Sequence, residues 1–109
     1  MENEQASRIE AAIREALRVI LDPELSVNVV DLGMIYAVEV SDGGHVHIEM
    51  TTTVRGCPAA GFLTQAVQAC VESVPGVSQA VVDLTYEPAW KPEMAIPEAQ
   101  ALFAAPDFR

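Results

Sequence analysis

The sequence predicts a small α/β domain of the two-layer α+β kind. A mixed three-stranded sheet, built from a hairpin and a β-α-β crossover, carries helices on one face and ends in a short C-terminal helix. Three observations predict it. The chain opens on an apolar stripe at three- and four-residue spacing. Two alternating segments flank Ser41-Asp42-Gly43-Gly44, a hairpin turn sequence that reaches positive φ cheaply. A second helical stripe then separates the hairpin from a third strand, which calls for a parallel return by a right-handed crossover.

The first helix is expected to begin at Ser7, where Ser7-x-x-Glu10 fits a capping box. Ile9, Ala12, Ile13, Ala16, Leu17, Ile20 and Leu21 form its stripe, and Pro23 disfavours helical geometry at Asp22. A connector with apolar anchors, Val27-Asn28-Val29-Val30-Asp31-Leu32, leads to a turn at Gly33. Strand one is expected over 34–40, with Met34, Tyr36, Val38 and Val40 on one face. Strand two covers 45–52, with Val46, Ile48 and Met50 opposite His45, His47 and Glu49. Those three polar residues are expected on the open face of the sheet rather than around a metal. Helix two spans about 58–73, with Leu63, Ala66, Val67, Cys70, Val71 and Val74 on its stripe, so Cys70 is expected to be buried and inert. Strand three covers 77–86, Trp90 pins the tail, and a last helix starts at Pro97.

The 109 residues suit one domain over 1–109, with its core at about 8–103 and frayed ends. No apolar run is long enough to span a bilayer, and the acidic start Met1-Glu2-Asn3-Glu4-Gln5 is unlike a secretory leader, so a cytoplasmic protein is expected. In that compartment Cys57 and Cys70 stay reduced. The formal net charge is -10, and the six basic residues are scattered, which argues against nucleic acid or an anionic membrane as partner.

The chemistry concentrates in Met50-Thr51-Thr52-Thr53-Val54-Arg55-Gly56-Cys57-Pro58. Pro58 suits a first helical position, which would put Cys57 at about the N-cap. There the helix dipole, with Arg55 close by, favours a thiolate. Taken alone, Cys57 is either a reactive or metal-binding thiol or a small residue filling a turn. Asp22-Pro23-Glu24-Leu25, taken alone, is a solvated acidic turn. The topology can bring both segments to one end of the sheet, where carboxylates and threonine hydroxyls would surround the thiol. A thiol enzyme is disfavoured, because His45 and His47 lie about ten residues back along strand two, too far at ~3.3 Å per residue to serve as base.

Five segments in order resemble the metal–sulfur cluster biosynthesis family, which includes SufT-like and PaaD-like proteins. They are Asp22-Pro23-Glu24-Leu25, Asn28-Val29-Val30-Asp31-Leu32-Gly33-Met34-Ile35-Tyr36, Met50-Thr51-Thr52-Thr53 with Gly56-Cys57-Pro58, Val74-Pro75-Gly76-Val77, and Pro88-x-Trp90-x-Pro92. The resemblance implies a role in building or delivering iron–sulfur clusters to client proteins rather than enzymatic turnover. It implies functional roles for Cys57, Asp22, Glu24, Thr51 and Thr53, with Cys57 as the thiol that meets metal; Arg55, whose charge lies two residues from the thiol, completes the expected functional pocket. No tightly bound cofactor is expected, only a transient iron–sulfur cluster or iron. One cysteine cannot hold a whole cluster, so a cluster would be shared with a second copy in a homodimer, with the assembly machinery or with an apo client. Arg55 stands where the family often has proline, and the cysteine-rich C-terminal extension of PaaD-type proteins is lacking, which favours a SufT-like role. The alternative is an adaptor that docks partners, with Cys57 structural.

Overall fold

The computed structural model describes residues 3–23, 25–53, 56 and 58–103. In chain order these form α1 (Asn3–Leu17), β1 (Ile35–Ser41), β2 (His45–Met50), α2 (Ala60–Glu72), β3 (Gln79–Leu84) and α3 (Pro97–Phe103). Short 3₁₀ turns occupy Asp42–Gly44 and Pro92–Met94. The sheet order is β1-β2-β3, with β1 antiparallel and β3 parallel to the central β2. This is the predicted hairpin followed by the predicted β-α-β crossover.

One face of the sheet makes the core. Val46, Ile48 and Met50 of β2 are buried with Val38 of β1 and Ala80 of β3. Ile9, Ile13 and Leu17 of α1 and Leu63, Val67 and Val71 of α2 cover them from the helix side. Each stripe recurs every three to four residues, so each helix buries a single face. The α2 stripe agrees with the sequence reading. Cys70 is half-buried on it, and its Sγ–H donates to the Ala16 carbonyl at 3.4 Å. Burial pushes the Cys70 thiol above its ordinary value, which keeps it protonated and inert.

Helix α1 departs from expectation at both ends. Ser7 lies inside it rather than at its cap, and Glu10 reaches forward to Arg14 at 3.2 Å instead of back to Ser7. The helix also stops at Leu17, well before Pro23 requires. Arg18, Val19 and Ile20 make tighter bonds to carbonyls three residues back, and Ile20 then accepts from the Val29 N–H at 3.0 Å. Leu21 bridges Asn28, so a strand-like pairing takes over the chain where helical periodicity could have continued. Leu21 is consequently 54% exposed, and Ala12 is exposed as well.

Strand β1 carries an irregularity between Ile35 and Ala37: Ile35 pairs with Met50, but Ala37 pairs with Glu49. Tyr36 is the extra residue, and such a bulge reverses the alternation. Ile35 and Val38 both face the core as a result, in place of the uniform Met34-Tyr36-Val38-Val40 face. Strand β2 ends at Met50, although Thr51 N–H still bonds the Met34 carbonyl and Thr85 N–H the Met50 carbonyl, at 2.9 and 2.8 Å. Strand β3 is shorter than the expected 77–86.

The tail is sewn onto the connector. Trp90 Nε1–H donates to the Leu32 carbonyl at 2.6 Å, and Ile96 N–H donates to the Asp31 carbonyl at 2.9 Å. Trp90 packs against the core, as the anchor reading holds, and α3 runs over the expected residues. The open face of the sheet carries His45, His47 and Glu49, also as expected.

His47 is held there by two carboxylates, Asp83 Oδ2 at 2.7 Å from Nε2 and Glu39 Oε1 at 3.3 Å from Nδ1. A carboxylate only accepts, so both ring nitrogens must donate, and only the imidazolium does that. The bond to Asp83, then that to Glu39, raises the His47 pKa above its ordinary value. With the folded value raised, this pairing stabilises the fold at acidic to neutral pH and is lost as pH rises through the folded pKa. NMR titration of the His47 ring is expected to give a midpoint above ~6.5. Asp83→Asn should lower it further than Glu39→Gln. Equal effects would contradict the shorter bond's dominance.

Candidate functional site

The predicted site segments flank one end of the sheet, where β1 begins and β2 ends. A relay of backbone bonds ties them together. Thr51 N–H bonds the Met34 carbonyl, Met34 N–H bonds the Val29 carbonyl, and Val29 N–H bonds the Ile20 carbonyl. Ile20 leads directly into the Asp22 turn.

That turn is built on its aspartate. Asp22 Oδ1 accepts from Leu25 N–H at 3.0 Å, while its own backbone carbonyl accepts from Ser26 N–H at 2.8 Å and its N–H bonds the Val27 carbonyl at 3.0 Å. Pro23 pre-sets the turn, and Ser26 completes it in the left-handed region at φ 58. Asp22 is 1% exposed, so the expectation of a solvated acidic turn is corrected. The carboxylate is drawn inside because the Leu25 amide needs an acceptor there. Glu24 lies outside the described residues.

Thr51 and Thr52 are buried, and Thr53 is half-buried. The Thr52 hydroxyl shares a 2.7 Å bond with the Tyr86 hydroxyl, and Thr51 Oγ1 donates to the Thr52 carbonyl at 3.3 Å. Tyr36 donates its hydroxyl to the Pro88 carbonyl at 2.8 Å. Burial raises the Tyr36 phenol above its ordinary value, and a hydrogen bond with Thr51 partly opposes this. Tyr86 thus holds the threonine run at Thr52 from the segment after β3, while Tyr36 ties β1 to Pro88. Sequence reasoning placed them only as strand residues. The available signal was a Tyr at the start of one strand and the end of another, both beside the Thr-rich exit of β2. It also missed Thr52 and the Asn28–Asp31–Arg18 network. Asn28 Oδ1 accepts from Asp31 N–H, Asn28 Nδ2 donates to Asp31 Oδ2, and Arg18 donates to the same oxygen at 3.2 Å. The Asn-x-x-Asp spacing is its signature, a side chain closing a turn on the backbone.

Cys57 and Arg55 lie outside the described residues. The surrounding bounds still correct one expectation. Helix α2 begins at Ala60 with Ala59 as its N-cap, not at Pro58. In sequence, Cys57 stands two residues before that N-cap. Gly56 turns the chain at φ 78 in open space. Among the described residues no group of three or more His, Cys, Asp or Glu side chains is placed to hold a metal ion. No helix among them is long and apolar enough to cross a membrane. The described part of the site is thus a hydrogen-bonded, hydroxyl-rich frame with one buried carboxylate.

Residues 10–83 match the family described as "Iron-sulfur cluster assembly protein". The chain belongs to that family. The matched region includes Asp22, the threonines and Cys57. A Porphyromonas gingivalis protein named "Fe-S protein maturation auxiliary factor" is 45% identical over 97 residues, spanning 89% of this chain and 92% of that one. A Mycobacterium tuberculosis "Iron-sulfur cluster carrier protein" is 40% identical over 76 residues, 70% of this chain but only 20% of that larger protein. The crystal structure of a "Domain of Unknown Function DUF59" from Bacillus anthracis superposes with TM-score 0.88 at 30% identity, covering 95% of this chain and 100% of that one. The Bacillus anthracis domain thus shares the two-layer fold described above.

Proposed function

We propose that this protein is an iron–sulfur cluster maturation factor of the cytoplasm that helps load clusters onto apo client proteins, with Cys57 as its working thiol. It acts with the assembly machinery and has no catalytic turnover of its own. The observation that carries this reading is the near full-length match to a maturation auxiliary factor at 45% identity. The cluster is cargo. The chain has two cysteines, and Cys70 is half-buried and protonated, so Cys57 can supply at most one ligand. The remaining ligands must come from a second copy, a donor or a client. Asp22, through its bond to Leu25, and the Thr52–Tyr86 pair act by holding the described site segments in place, so the thiol is presented from a fixed frame.

The test is anaerobic reconstitution of the full chain with iron and sulfide, followed by visible absorbance and native mass. Wild type, Cys57→Ala and Cys70→Ala are compared. The expected result is cluster absorbance in wild type and Cys70→Ala, its loss in Cys57→Ala, and a holo mass of two chains. Equal absorbance in Cys57→Ala would remove the thiol from the mechanism. No cluster in any variant would favour an adaptor that guides partners without holding cargo.

A further inference from the structure

The edges of a sheet expose backbone groups that natural proteins normally cover or blunt. At β3 the cover is partial. Ala80 N–H donates to Glu72 Oε2 at 3.1 Å, and the Ala80 carbonyl accepts from Gln68 Nε2 at 3.2 Å. Both side chains come from α2 and occupy the strand's outer side. Thr85 N–H, by contrast, points inward to the Met50 carbonyl. Backbone direction alternates along a strand, so Val82 and Leu84, like Ala80, present N–H and C=O outward. Among the described residues nothing bonds these four groups. Around them Leu84 is 39% and Val81 46% exposed.

We infer that this half-open edge receives an extended segment of another protein, paired with Val82 and Leu84 and carrying a lysine or arginine beside Asp83. A second copy is the wrong occupant. The two-fold antiparallel register that uses all four open groups sets Asp83 against Asp83 of the other copy, in a non-bonded pair about 4.5 Å apart at Cα. Like charges directly opposite are destabilising. A basic residue in that place meets Asp83 and, next to it on β2, Glu49, which Asp83 pairs with. Only one Asp83 oxygen is taken up by His47. The chain's formal charge of -10 attracts such a segment from a distance. Residues on either side of the basic one would face Val82 and Leu84 and are therefore apolar. The open edge also runs towards Tyr86, whose hydroxyl holds Thr52, so a docked segment ends beside the site. The inference uses only the backbone and charges of β3 and stands apart from the role of Cys57.

The test needs no iron. The probe is the peptide Gly-Ser-Val-Lys-Val-Ser-Gly, acetylated and amidated, titrated into the ¹⁵N-labelled full chain at low salt. Saturable shifts are expected at the Val82 and Leu84 amides and not at Val38 or Val40 of β1. The peptide with Glu in place of Lys should bind about two- to fivefold more weakly. Val82→Pro should lose binding, because it removes an outward N–H that the β2 ladder does not use. Asp83→Lys should reverse the preference between the two peptides, and does so whether or not the proline variant folds. Shifts centred elsewhere, no saturation, or an unchanged preference in Asp83→Lys would overturn the inference. So would a dimeric wild type whose Val82 and Leu84 amides are already protected.

Discussion

Gly33→Ala is expected to cost about 3 kcal/mol of stability, a fall of roughly 15 °C in melting temperature for a domain of this size. Gly33 sits at φ 76, a region where a side chain already costs about 1 kcal/mol. The larger part is steric. A Cβ there would lie 2.3 Å from the Met94 carbonyl oxygen and 2.9 Å from its carbon, and both atoms are backbone. The 3₁₀ turn at Pro92–Met94 cannot retreat easily, because Trp90 on one side and Ile96 on the other are bonded to Leu32 and Asp31. Gly43→Ala is the control. Its φ is 81, but nothing lies within 4 Å of the added carbon, so only the conformational cost applies. Thermal melts of the two variants decide the matter: equal losses would mean that the C-terminal segment yields and is not locked to the connector.

Asp22→Ala is expected to lower stability by about 2 kcal/mol, while Asp22→Asn stays within about 1 kcal/mol of wild type. Alanine leaves the Leu25 N–H without its acceptor inside a turn whose Asp22 and Ser26 N–H groups are bonded to backbone carbonyls. Asparagine keeps an oxygen in the same place. Denaturant midpoints at constant slope measure both. Asparagine as damaging as alanine would show that the turn needs the charge and not only the acceptor. The asparagine variant also separates structure from function. If it folds like wild type but fails to support client maturation, the carboxylate itself takes part in maturation.

Much of this protein is legible one residue at a time. Each helix stripe and the β2 alternation depend on local periodicity, and each appears in the fold, although the α1 stripe buries Ile9, Ile13 and Leu17 and leaves Ala12 and Leu21 exposed. The Asp42-Gly43-Gly44 turn dictates the hairpin, and a helix between two strands leaves little choice but a parallel return. Even the strand lengths err by only a few residues, because the ladders fade into the single bonds at Thr51 and Thr85. Local signals failed where distant residues compete for the same backbone. Ser7-x-x-Glu10 is a valid cap in isolation, yet the helix had enough good residues upstream to begin at Asn3. Pro23 is a valid stop, but Val29 claims the Ile20 carbonyl first. Tyr36 falls out of register because Ile35 and Val38 are both better buried than it is, and a bulge permits both.

The site divides in the same way. By itself the sequence determined the family, since five ordered segments specify it, and it determined which residue types stand at 22, 51, 53 and 57. Tertiary structure alone decided that Asp22 is buried, that Tyr86 holds Thr52, and that α2 starts at Ala60 rather than at Pro58. The physical reason is range. Periodicity and turn chemistry act within a few residues, whereas a buried carboxylate, a phenol across the sheet and a half-covered strand edge are set by partners that only folding brings into contact.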